Sequence, residues 1–174
     1  MNLGQSMLTA AALIVITMVV ISANRLILES QEDEFAGEAF NLASEMANAM
    51  IMEASKKQFD DNAVSGTYQN VWEFTPPSML GPGPAESSVV PHPDVAPFKS
   101  IGGYDDFGDY NGYVRIVDTP VIQGFIVRDS VVYVSPSDPD TPLNYQSYVK
   151  KLVVIVSHPQ FLPRPLQFST LMTY

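Results

Sequence analysis

The first 24 residues, MNLGQSMLTAAALIVITMVVISAN, contain no charged side chain, and the first charge is Arg25. A water-soluble domain has no use for such an end, because apolar surface is stable only against apolar surroundings. As a helix the stretch is about 36 Å long at 1.5 Å per residue. That is enough to cross a hydrocarbon core of about 30 Å. From Met7 to Ile21 only Thr9 and Thr17 interrupt the apolar run, so periodicity picks out no wet face. The stretch has three possible uses: removal as a secretory signal, anchoring in lipid, or packing against copies of itself. A secretory signal wants a basic leader and a shorter apolar core. MNLGQS has neither Lys nor Arg, and the residues after Asn24 continue a helical pattern. The segment is therefore expected to be retained.

Past Arg25 the pattern becomes amphipathic. Leu28, Phe35, Ala39, Leu42, Met46, Met50 and Ala54 recur at three- and four-residue steps, and Phe40, Ala43, Ala47 and Ile51 widen the stripe. Glu29, Glu32, Asp33, Glu38, Glu45 and Glu53 take the other side. Lys56 and Lys57 stand where cations complement a helix C-terminus. One helix is expected over 1–59, with 1–24 apolar all round.

All 14 prolines lie from Pro76 onward, so residues 60–174 form a different kind of chain. A Pro/Gly-rich loop over 75–100 can be neither helix nor central strand. Trp72 and Phe74 are expected to pin it to the core. Runs rich in Val, Ile, Tyr and Phe follow. GYVRIV reads as a strand, GFIVRDSVVYVS as a hairpin turning at Arg128 to Ser130, and SYVKKLVVIVS as a central buried strand. PLQFSTLMTY alternates Leu166, Phe168, Met172 and Tyr174 on one face. The expected class is α+β: a long N-terminal helix packed on an antiparallel sheet.

The chemistry is sparse. A net charge of −10 repels phosphate and argues against nucleic acid as a partner. With no Cys there is no disulfide, thiolate metal site or Cys nucleophile. His92 and His158 lie in loops far apart, and neither a phosphate-binding Gly loop nor a hydrolase motif is present. The chain is not expected to be an enzyme or to carry a cofactor. One stretch, GGYDDFGDYNGY, gathers oxygen ligands of the kind Ca²⁺ takes. It reads first as an acidic, solvated turn. If it binds metal, Asp106, Asp109 and Asn111 are the ligands.

A helix apolar all round in its first half and amphipathic in its second, ahead of a β-rich head, resembles the type IV pilin-like superfamily. That group spans bacterial pilins, pseudopilins and archaeal pilins and flagellins. The specific part of the likeness is Met1 to about Ser55; DDFGDYNGY also resembles acidic-aromatic stretches in the heads of some minor pilins. Three features depart from the pattern. Gln5 stands where the family usually has Glu, no basic leader ending in Gly precedes the apolar run, and the helix lacks the common Pro, with Ser22 in that region. An unbroken helix is expected.

The resemblance implies a homo-oligomer in the form of a helical filament, with a membrane stage before assembly and a pilus assembly machinery as partner. The residues that would pack the filament core are Gln5, Leu8, Ala11, Ala12, Leu13, Val15, Ile16, Val19, Val20 and Ala23. Small residues among them allow close helix approach. A minor pilin or pseudopilin, and a monomeric membrane-anchored binding module, stand as alternatives.

Overall fold

The computed structural model describes residues 2–63 and 69–174. It divides into two units, Met1–Ala39 and Phe40–Tyr174. Helix α1 (Leu3–Ala54) is unbroken, as expected from its freedom from proline. In the first unit α1 is exposed on every side as far as Phe35.

The second unit holds the last part of α1 and all the remaining elements. These are three short 3-10 turns (Val71–Glu73, Pro77–Met79 and Gly108–Tyr110), the single-turn helices α2 (Pro84–Ser87) and α3 (Ser100–Gly103), and six strands. The strands are β1 (Asp94–Val95), β2 (Val114–Val117), β3 (Phe125–Ser135), β4 (Asp138–Pro142), β5 (Val149–Ser157) and β6 (Leu166–Thr173). They make one sheet in the order β1-β2-β3-β5-β6, with β4 paired to β3. The class is α+β, but the sheet is mixed: β1 lies parallel to β2, while the other pairings are antiparallel. The parallel strand is two residues long and lies within the proline-rich crossing.

Residues Phe40–Ala54 of α1 bury Ala43, Ala47, Met50 and Ala54 completely. Steps of four, three and four keep these on one stripe, and three alanines let the helix approach closely. The centre of the stripe therefore lies on the alanines, with Leu42 and Met46 half-buried at its edge. Glu53, expected to face solvent, is half-buried.

The helix ends before the expected 59. Gln58 N–H donates to the Asp105 carbonyl at 3.1 Å, and Phe107 N–H donates to the Gln58 carbonyl at 2.8 Å. That bridge draws the chain off the helical path. Lys57 does not complement the helix terminus: its ammonium donates to the carbonyls of Ile101 and Tyr104, at 2.8 and 2.7 Å.

The hairpin expected at Arg128 to Ser130 is absent, because β3 runs straight through those residues. Strict alternation explains it. Phe125, Val127, Asp129, Val131 and Tyr133 point inward, while Arg128 and Ser130 point to solvent. On β5, paired with β3 from Ile126↔Ser157 to Tyr133↔Lys150, the inward set is Lys150, Leu152, Val154 and Val156. On β6, Leu166, Phe168, Thr170 and Met172 share the half-buried face. Phe74 is buried with Phe59 and Tyr133 in one cluster. Trp72, expected to help pin the loop, is 75% exposed instead.

Candidate functional site

Two regions bear on function: the apolar part of α1 and a polar system inside the head. In α1 the expected packing residues Gln5, Leu8, Ala11, Ala12, Leu13, Val15, Ile16, Val19, Val20 and Ala23 are all exposed. The few hydroxyls in this stretch turn back on their own helix. Ser6 donates to the Leu3 carbonyl at 2.9 Å, Thr9 to the Gln5 and Ser6 carbonyls at 3.1 and 2.9 Å, and Thr17 to the Leu13 carbonyl at 2.8 Å. These three hydroxyl protons are thus satisfied without water, as an apolar medium requires. Among the described residues α1 is the one helix long and apolar enough to cross a membrane, so by length and composition it could serve as an anchor or a signal sequence.

In the head, the loop expected to be an acidic, solvated turn is mostly interior. Asp106 and Asp109 are 4% and 2% exposed. They hold each other: Asp109 N–H donates to Asp106 Oδ1, and the Asp105 and Asp106 N–H groups donate to Asp109 Oδ2, all at 3.0 Å. Gly108 lies between them because nothing larger fits. A Cβ there would come 2.9 Å from Asp106 Oδ1 and 3.1 Å from Leu80 Cδ2.

Asn111 does not join this pair. Its amide donates to the Leu80 carbonyl and accepts from Val131 N–H. The carboxylates that do converge are Glu86, Asp105 and Asp109, with one oxygen of each within 4.8 Å of the others. These are hard oxygen donors of the type divalent cations take, but the set differs from the expected trio. Burial, with the Asp106 charge and the Glu86 carboxyl, raises Asp109 to about 8 despite the Asp106 amide. Partial desolvation and the Asp106 and Asp105 carboxyls raise Asp61 to about 6. Asp109 and Asp61 therefore take up protons more readily than ordinary carboxylates. Asp61 and Asp106 also line an open cleft of about 430 Å³, together with Pro76 and residues 79–84.

Two buried ion pairs complete the polar system. Lys150 Nζ donates to Asp60 Oδ2 at 2.8 Å and to the Phe59 carbonyl at 2.7 Å, and both side chains are fully buried. Asp60 also accepts from Thr75 N–H and hydroxyl, from Asn62 N–H and from Tyr133 OH. Burial pushes Asp60 upward, but the Lys150 ammonium and these donors outweigh it and hold it below its ordinary value. The second pair joins Arg115 of β2 to Glu53 of α1 at 2.7 Å. Ser100 and Tyr110 hydroxyls donate to the other oxygen of Glu53.

Near this pair Asp129 is 5% exposed, and neither carboxyl oxygen has a hydrogen-bond partner. Burial raises it to about 8, against the pull of Arg115. None of these interior charges was expected from the sequence. The available signals were an Asp held to strand alternation in β3 and a Lys on the inward phase of β5.

No protein-family model matches the chain, and no curated protein or solved structure matches it. The functional reading therefore rests on the residues themselves.

Proposed function

We propose that the chain is a structural subunit of an extracellular, type IV pilus-like filament that polymerises through its apolar N-terminal helix. The observation that carries this is the exposure of α1. Fourteen large apolar side chains between Leu3 and Leu28 are each more than half exposed, on every side of the helix. At about 1.5–3 kcal/mol for each such side chain, covering them is worth on the order of 20–40 kcal/mol. The whole stability of a domain is only about 5–15 kcal/mol. A surface of that size is not left in water.

Before assembly, lipid covers it as a single span. The acidic flank of Glu29, Glu32, Asp33 and Glu34 against Arg25 favours export of the head, a weak contribution to orientation. In the filament, sister helices replace lipid. Lipid and helix are equally apolar, so close approach at Ala10, Ala11, Ala12 and Ala23 favours helix over lipid. Identical head-to-tail contacts that do not close on themselves generate an open helix. An assembly machinery would extract the subunits, and the negative heads would form the outer shell.

Negative-stain microscopy of purified full-length protein and of sheared cell surfaces tests the reading. Thin filaments labelled by antibody to the head are expected. A detergent-bound monomer in every preparation, with residues 2–24 cross-linking to no second copy, would overturn it.

A further inference from the structure

We infer that a groove on the head is the docking site for the acidic band of α1 in a second copy of this chain, an inference that rests on the filament reading above. The groove, of about 430 Å³, is lined by Ala49, Met52, Glu53, Lys56, Lys57 and Ile101. Its apolar part is Met52 and Ile101, 61% and 59% exposed. Its charge is positive. The Glu53 carboxylate is taken up by Arg115, Ser100 and Tyr110. Lys56 is exposed, and Lys57 donates only to neutral carbonyls. Among the described residues no acid pairs with either lysine, whereas Arg115, Lys150 and Lys151 each have one.

The complementary surface is on the same chain. Glu29, Glu32, Asp33 and Glu34 place four acids within six residues, all exposed. Glu29, Glu32 and Asp33 share a helix face at steps of three and one. Leu28, 60% exposed, lies one turn before Glu32. Met52 lies four residues before Lys56, and Leu28 four residues before Glu32, so two parallel chains can place Met52 beside Leu28 while Lys56 meets Glu32. Without such an offset, the acidic bands of neighbouring helices in a bundle would face one another and repel. The docking converts that repulsion into attraction and sets the stagger between subunits.

The chain has no cysteine, so Leu28→Cys with Met52→Cys in one chain introduces a single thiol pair. Oxidation of filaments of this full-length variant is expected to give a ladder of covalent multimers on a non-reducing gel. A Leu28→Cys, Val121→Cys control, with an exposed head residue elsewhere, is expected to give dimers at most. Independently, Lys56→Glu with Lys57→Glu is expected to cut filament yield about tenfold, since like charges then face each other. Adding Glu32→Lys and Asp33→Lys is expected to restore it.

Filaments of the Leu28→Cys, Met52→Cys variant that give no more ladder than the control overturn the docking and leave the filament reading standing. So does a charge reversal without effect on yield, which also decides the matter if the cysteine variant fails to assemble. A wild-type chain that forms no filament overturns both.

Discussion

Replacing Lys150 by Met keeps a long side chain in the same space and removes its charge. Asp60 is then a fully buried carboxylate whose ammonium partner, 2.8 Å away, is gone. Breaking a buried pair from one side costs about 3–5 kcal/mol. In a domain of this size that lowers Tm by about 10–20 °C. The donors from Thr75, Asn62 and Tyr133 remain, so the loss is expected near the lower end of the range.

The pH dependence is specific. In the wild type Asp60 is held below its ordinary value of 3.8, so its stabilisation is present above that pH and fades as pH falls through the folded value. Without Lys150, burial dominates and the Asp60 value rises. The variant's deficit is then larger at pH 7 than at pH 4, where Asp60 can take up a proton. Lys150→Met with Asp60→Asn is expected to recover most of the loss. Urea unfolding of the full chain in mild detergent, followed by near-ultraviolet circular dichroism of the buried tyrosines, reads this out. Trp72 fluorescence is a poorer probe because that ring is exposed. A loss below about 1 kcal/mol, or one independent of pH, refutes the account.

Asp129→Asn is expected to stabilise the head by about 1–3 kcal/mol at pH 7 and by little at pH 4. Asp129 titrates near 8 when folded and 3.8 when unfolded, so wild-type stability is full below 3.8 and declines as pH rises through about 8; urea midpoints at three pH values check the trend. Gly108→Ala puts a Cβ 2.9 Å from Asp106 Oδ1, and the strain is expected to cost about 1–3 kcal/mol in the same assay. Ala11→Leu with Ala12→Leu enlarges the small-residue face without adding polarity. Membrane fractionation of the subunit is expected to be unchanged while filament yield drops severalfold.

The N-terminal helix was legible because the absence of charge over 24 residues does not depend on any distant partner. Strands β2, β5 and β6 were legible from β-rich composition and alternation. Arg128, Asp129 and Ser130 misled because their residue types favour turns while their phase keeps an inward-outward alternation, and phase prevailed in β3. Lys150 and Asp60 are 90 residues apart; strand phase places the lysine inward, but no local pattern names the acid past the helix end as its partner. The loop around Asp106 looked solvated on composition. The signal that it is not was Asp at steps of three with Gly108 between, which lets each carboxylate bond the other residue's amide.

The two interior ion pairs flank the end of α1: Glu53 is gripped by β2, and Asp60, just beyond the last turn, by β5. Both are short, directional contacts, at 2.7 and 2.8 Å. Greasy surfaces creep past one another under tension, since any apolar neighbour will do. An ion pair depends on a few fixed partners and gives way abruptly. Traction applied through the helix therefore meets two brittle fasteners in succession, the first on the second strand and the next on the fifth.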